Sequence, residues 1–375
     1  MKFVSTQSKL YQALAITEKI IGKNLTLPIL TNTLITADKK RGVLKLCSTD
    51  LEMGVEVEST AKIEVDGEIT APTKLFSNFI KDLPNENIEF EERDKKITVR
   101  CANYKSTIKG ESADDFPLIP NPNIEEFVIV NGQDFLLGIA SVINSVSLME
   151  IRPEISGVFI NIKEDSICFA ATDSFRLSER VMSLNSINKY LNKIIIPKKC
   201  CDGILRIFQN TQGDLRVQAM DNQIIIKSEA EDALAPKIRF VGRLIDGDYP
   251  DYEQIIPKSF SKIAEVPRNE FIQRVRTASL FSNKIKEITC ELNTKKQQIE
   301  VCAINHEYGD YLASVPCSIK GEDEKITLNF QYLLDGMQFI NSQILQLKVN
   351  ESTTPALIQS AENERFRYLI MPIKT

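Results

Sequence analysis

Two aspartates follow a threonine at corresponding places in the chain, Asp50 in "CSTDLEM" and Asp173 in "AATDSFR". Carboxylates could serve a hydrolase as general bases. The adjacent Cys200–Cys201 pair could supply a thiolate, with Lys199 beside it favouring the charged form. Each has a plainer reading. A Thr-Asp between two strand-like stretches closes a turn by accepting backbone N–H groups. The cysteines fall on the apolar side of a helical pattern, where thiols pack as small hydrophobes. His306, the one histidine, falls at a similar turn beside Asn305, so no imidazole pair exists for acid–base work. The acids of "EFEERD" read as a solvated edge. No phosphate-binding glycine loop, His-Glu-x-x-His or nucleophile elbow occurs. Eight cysteines without a CxxC pair argue against zinc. The expectation is a chain without catalysis, cofactor or metal. A hydrolase using Asp50, Asp173 or a cysteine is the rival.

The elements that position these residues recur three times. Amphipathic patterns occupy "STQSKLYQALAITEKIIGK", "NGQDFLLGIASVINSVS" and "PRNEFIQRVRTASLFSN". Aligning Leu10, Phe135 and Phe271 spaces them 125 and then 136 residues apart. A shorter helical pattern follows in each block: "PTKLFSNFIKDL", "PKKCCDGILRIF" and "NFQYLLDGMQFI". Strand-like stretches surround Thr49–Asp50, Thr172–Asp173 and Asn305–His306, and the segments "DDFPLIPN" and "DGDYPDYEQIIPK" read as connectors stiffened by proline. A period this long fits homologous domains and not a solenoid. The expectation is α+β: three domains over 1–122, 123–256 and 257–375, each with two helices packed on antiparallel sheets.

Charge is unevenly distributed. The total is −5, from 46 basic and 51 acidic side chains. That excludes a uniformly basic nucleic-acid binder but permits a basic stripe. Opposite the apolar face of the first helix (Leu10, Ala13, Leu14, Thr17, Ile21) lie Ser8, Gln12, Lys19 and Lys23. The third-block counterpart opposes Phe271, Val275 and Ala278 with Gln273, Arg276, Thr277 and Lys284; the second offers the neutral Ser141 and Asn144. In the short helices Lys74 and Lys81 match Lys199 and Arg206, then Gln331 and Gln338, always seven apart and so on one face. Cations often merely solvate a helix. The same bias in successive helices favours a surface facing phosphates, with backbone contact and no base reading.

Composition is ordinary for folded domains: 375 residues, 43% hydrophobic and 26% charged. The N-terminus lacks a signal-peptide pattern, and no apolar run reaches membrane-spanning length. A cytoplasmic, nucleoid-associated protein is expected. The C-terminal "YLIMPIKT" is unusually apolar for a chain end. It reads as an edge strand stopped by Pro372, or as part of a binding surface.

Together these features resemble the bacterial sliding clamp family, the beta subunits of the replicative DNA polymerase III holoenzyme. The resemblance spans the chain and is carried by "TLPILTNTLI", "STDLEM", "RPEISGV", "ATDSFRL", "DYPDYEQIIPK" and "YLIMPIKT". It implies a head-to-tail homodimeric ring around double-stranded DNA, with helices lining the hole, and a role as processivity factor. The DNA-facing cations would be Lys19, Lys23, Lys74, Lys81, Arg152, Lys198, Lys199, Arg206, Arg276 and Lys284. The implied partners are the polymerase catalytic subunit, the clamp loader, and repair and translesion polymerases, each inserting a short apolar peptide; no membrane partner is implied. The implied peptide pocket comprises Ile155, Thr172, Ser174, Phe175, Arg176, Leu177, Pro250, Gln254, Ile255, Asn329, Tyr332, Pro355, Leu369, Ile370, Met371, Pro372 and Ile373. The implied dimer contacts are Leu280 and Phe281 against Ile108. The chain departs from the family pattern where Ser174–Phe175 replaces a common Gly-His, where Asn24 replaces a frequent Arg, and in its Ile373–Lys374–Thr375 ending. A three-domain scaffold that does not bind DNA is the second rival.

Overall fold

The computed structural model describes all residues except 23–26, 121–125, 150, 186, 221, 230–234 and 375. Lys23 and Asn24 therefore lie outside the described residues. The element order repeats three times: a strand, a helix, a run of strands, a second helix, then three strands. The first helices of the repeats are α1 (Gln7–Thr17), α3 (Gly132–Val142) and α5 (Arg268–Ser279). The second are α2 (Thr73–Asp82), α4 (Lys198–Phe208) and α6 (Phe330–Met337).

Local sequence explains these helices. In α2, Thr73, Phe76, Ser77 and Ile80 are buried at i, i+3, i+4 and i+7, one face of a 3.6-residue period. Pro72, Pro197 and Pro267 precede α2, α4 and α5 with φ fixed near the helical value and no N–H to lose. Thr6 caps α1 and Asn329 caps α6 through side-chain oxygens. Three details differ from expectation. Helix α1 ends at Thr17 and continues as a 3-10 turn, Glu18–Ile20, so Ile20 is buried where Ile21 was expected. Ser141 is buried and accepts from Arg180 Nε at 3.0 Å, while the exposed side of α3 carries Asp134 and is not wholly neutral. Helix α5 stops at Ser279, leaving Lys284 in the following turn.

The chain packs as two compact units, one of residues 1–136 with 188–245 and one of 137–187 with 246–375. In the first unit, Met53–Thr60 of the first repeat pairs antiparallel with Lys237–Arg243, the last strand of the second. This pairing fuses the strands of both repeats into an eight-stranded sheet. In the second unit, Arg176–Ser183 pairs in the same way with Phe366–Ile370, the last strand of the third repeat. The same rule thus joins successive repeats twice. The strands equivalent to these in the outer repeats have no such partner and stand at sheet edges: Tyr104–Lys109 ends a five-stranded sheet and Gly309–Pro316 ends a four-stranded one.

The core of the second unit sets helices α5 and α6 on the inward faces of its strands. Gly336 in α6 marks a close approach, because an added Cβ would lie 2.5 Å from the ring of the buried Tyr368. Gly336→Ala should therefore lower the melting temperature. Overpacking costs about 1–3 kcal/mol, which outweighs a helix-propensity gain of about 1 kcal/mol at most. Differential scanning calorimetry would check this; an unchanged or raised melting temperature contradicts the packing described.

Candidate DNA- and peptide-binding sites

The two Thr-Asp pairs share one geometry. Asp50 Oδ1 accepts from the backbone N–H of Glu52 and Met53 at 3.1 and 2.9 Å. Asp173 Oδ1 accepts from Phe175 and Arg176 at 3.0 and 2.9 Å. Thr49 and Thr172 each donate to the carbonyl four residues on. The caps hold Leu51 and Ser174 at φ 76° and 75°, a left-handed conformation unusual outside glycine. Asn305 does the same work in the third repeat, accepting from Glu307 and Tyr308. These aspartates are turn caps. The thiols are likewise committed to the core: burial pushes Cys200 up to about 12, with Asp50 and Glu52 adding to the effect, and Cys201 is fully enclosed. Lys199 does not activate either thiol, because its Nζ lies 2.7 Å from Asp50 and 2.5 Å from Glu52.

The expected cations fall into distinct groups. Lys74 and Lys81 are exposed on one face of α2 and carry no ion pair among the described residues. Arg276, in the last turn of α5, and Lys284 are exposed as well. Arg206 is exposed, and its Nε donates to the Asp202 carbonyl at 3.1 Å. Lys19 is half-buried and donates to the Arg206 carbonyl at 2.6 Å; burial, then the Arg206 charge, lowers its pKa. Arg152 is paired with Glu154 at 3.1 Å, and Lys198 is half-buried at the start of α4. Lys199 departs most from expectation, since two carboxylates neutralise it locally.

In the second unit the expected peptide site is organised by Arg176. Its guanidinium reaches Asp173 at 2.9 Å, Asp335 of α6 at 2.6 Å and Tyr368 Oη at 3.3 Å. It also donates to the Asn144 carbonyl and stacks 4.2 Å over the Tyr332 ring. Burial opposes its charge, but Tyr368, Asp335 and Asp173 more than offset that and hold the pKa above the ordinary arginine value. The tail is tied down beside it: Met371 N–H donates to the Phe175 carbonyl at 2.8 Å, and Ile373 N–H to the Thr327 carbonyl at 2.9 Å. Phe175, Ser174, Gln254, Ile255 and Met371 are exposed, and Pro250, Asn329, Tyr332, Pro355, Pro372 and Ile373 are half-buried.

The remaining expected wall residues lie deeper. Leu177 and Leu369 face each other across the strand pair and are buried in a cluster with Ala170, Tyr252 and Leu357. Ile370 belongs to the main core, and Ile155 and Thr172 are also buried. They are core residues, whereas the residues named above reach the surface. Sequence reasoning missed the group that fixes this core. Tyr252 Oη donates to buried Glu179 at 2.8 Å, and Arg367 Nε donates to the same carboxylate at 2.8 Å. Tyr249 stacks on Phe159 at 4.8 Å. The tyrosines of "DYPDYEQ" were the one local signal. Glu179 and Arg367 are 188 residues apart, and only strand pairing brings them together.

Of the expected dimer contacts, Leu280 is 72% exposed, and Phe281 is half-buried and stacks on Tyr311 at 5.7 Å. Ile108 differs: it is 6% exposed and turned into the core of its own repeat opposite Ile97, so its side chain is not presented at the surface.

Comparison with known proteins matches all three repeats in order. The N-terminal, central and C-terminal domain models of the DNA polymerase III beta subunit match residues 1–120, 130–251 and 253–374. The beta sliding clamp of Synechococcus elongatus is 26% identical over 378 residues, covering all of this chain and 99% of that one. The beta sliding clamp of Staphylococcus aureus is 25% identical over 385 residues, with both chains fully covered. The crystal structure of the Bacillus subtilis DNA polymerase sliding clamp shares the fold, with a TM-score of 0.93 at 23% identity, over all of this chain and 99% of that one. The chain belongs to the DNA polymerase III beta subunit family, the bacterial beta sliding clamps.

Proposed function

We propose that two copies of this chain close head to tail around duplex DNA, slide without sequence preference, and tether the replicative polymerase. The clamp loader and the repair and translesion polymerases would engage the Arg176 site by short apolar peptides. The three repeats would be the domains 1–122, 123–256 and 257–375, acting in the cytoplasm at the nucleoid and catalysing nothing themselves. The observation that carries this reading is the pairing rule. Each internal junction adds the last strand of one repeat to the strand after the capped turn of the one before. One edge of each kind is left over, Gly309–Pro316 and Tyr104–Lys109, and a second copy supplies what each lacks. Sedimentation tests it: a dimer near twice 42.4 kDa is expected, and a monomer at every concentration contradicts closure. The hydrolase reading loses its nucleophiles to caps and core. A scaffold that ignores DNA gives no reason for the open lysines of α2.

Loose electrostatic contact sets the expectation for DNA. Lys74→Glu with Lys81→Glu and Arg206→Glu should weaken binding to a short duplex without unfolding the chain. Each phosphate that the variant no longer neutralises lowers the salt slope by about 0.9. Lys199→Glu should change it least, because Asp50 and Glu52 already hold that ammonium. Titrations at several salt concentrations measure this; a slope unchanged in the triple variant means these cations face elsewhere.

For peptide binding, Met371→Ser keeps the backbone bond to Phe175 and removes an adaptable apolar side chain. Affinity for a polymerase-derived peptide should fall by about tenfold or more, as one apolar anchor is worth about 1–2 kcal/mol. The melting temperature should hold. A sharp fall in melting temperature with normal peptide affinity would mean that the tail only completes the sheet.

Iodoacetamide labelling at neutral pH should leave Cys200 and Cys201 unmodified in the folded chain and modify them in urea, read by mass spectrometry. Burial withholds the thiolate, with Cys200 raised to about 12. Rapid native labelling would restore the thiol reading.

A further inference from the structure

The ladders place equivalent residues of the three repeats at the junctions. From the strand before each first helix, the cross-strand partners run Phe3, Phe90, Val99, Ser106 in the first repeat. They run Val128, Val217, Ile226, Phe240 in the second and Ala264, Leu347, Ile358, Tyr368 in the third. Ser106, Phe240 and Tyr368 are therefore one position, and Lys105, Arg239 and Arg367 the position before it. On the other side, the residue three before each capping residue is Cys47, Ala170 or Cys302. Their partners are Glu56, Glu179 and Leu312.

Both junctions inside the chain pair these positions directly, Arg239 with Glu56 and Arg367 with Glu179. Both carry an ion pair there, with Nε–carboxylate distances of 2.6 and 2.8 Å. Arg239 is 8% exposed and Glu179 3%. The same offset between the two free edges sets Lys105 opposite Leu312. Both side chains are exposed, Leu312 at 66%.

Side-chain size supports that register independently. At the neighbouring position a large ring meets a smaller residue in each internal junction, Phe240 with Val55 and Tyr368 with Ser178. The free edges offer Ser106 and Tyr311, the same complement with the roles exchanged.

We propose that a second copy of this chain docks its Tyr104–Lys109 edge on Gly309–Pro316 in the register that sets Lys105 opposite Leu312, so that the seam between copies lacks the acid–arginine pair fastening both internal junctions. This rests on the closure proposed above and adds which residues meet and how the seam is fastened. The internal junctions combine a backbone ladder with a shielded ion pair. The seam between copies has its ladder, Tyr311 against Ser106, apolar contact at Leu280 and the exposed Asp310 diagonal to Lys105 and Lys109, but no shielded ion pair, so it is fastened more weakly than either internal junction.

Two sets of variants test the register, each checked for an unchanged melting temperature. Lys105→Cys with Leu312→Cys should give a disulfide-linked dimer on non-reducing gels. Tyr104→Cys with Leu312→Cys, on opposite faces, should not. Leu312→Lys should raise the dimer dissociation constant several-fold at low salt by facing Lys105, and adding Lys105→Glu should reverse the effect. A dimer that fails to cross-link and shows additive effects of the two charge changes overturns this register while leaving ring closure standing. A chain that stays monomeric overturns closure and the register with it.

Discussion

Antiparallel strand addition between repeats is the constraint on which the rest of this structure depends. A repeat of this kind ends in a strand whose outer edge has unsatisfied N–H and C=O groups. It also presents, after its capped turn, a second strand with the same need. Leaving either edge bare invites uncontrolled pairing. Joining the last strand of one repeat to the capped-turn strand of the previous one satisfies both, twice in this chain. A linear chain of identical joints always retains one edge of each kind. Strand addition by a second copy or a partner strand would satisfy them, which is the physical basis of the closure proposed above.

The capped turns serve that joint. Asp50 and Asp173 fix four-residue loops whose geometry determines where the next strand begins, and hence which side chains meet across each junction. At the second junction the turn has acquired further duties. Arg176 follows the cap, lies directly opposite Ile370, and reaches Asp335 and Tyr368 of the third repeat. The carbonyl of Phe175 then receives the N–H of Met371. One turn thus anchors the C-terminal tail and orders the polar groups near the buried Leu177 and Leu369. A surface with apolar side chains and a few fixed polar groups suits capture of an extended peptide.

The helices and the capping role of the aspartates were legible because each depends on spacing within about ten residues, and the repeat because such local patterns recur in one order at steps of 125 and 136 residues. The apolar period of "PTKLFSNFIKDL" and the proline before it specify α2 without reference to anything distant. The pocket was legible only in outline. The resemblance named residues along Arg176–Ser183 without separating the buried from the exposed, because alternation there depends on register with strands far away in sequence. The burial of Ile108 was hidden for the same reason. In "YKSTIK" it alternates with exposed residues, and its inward direction is set by pairing with Ile97. Lys199 was misjudged because its neutralising carboxylates, Asp50 and Glu52, belong to another repeat.

That last case bears on how such a surface holds DNA. A chain of net charge −5 must keep its cations from being cancelled by its own acids. The open lysines of α2 pair with no carboxylate among the described residues, whereas Lys199 on the matching helix is committed to holding the Asp50 turn against α4. Charge that is already paired adds little attraction for phosphate, and removing it would loosen a junction. One helical position thus differs among the repeats: an open lysine in the first, a paired lysine in the second and the neutral Gln331 in the third. Under the proposed function, a duplex beside such a face would meet separated, exposed cations in place of a fixed array. Such contacts supply attraction without a preferred register, and a protein that must move along DNA requires that combination.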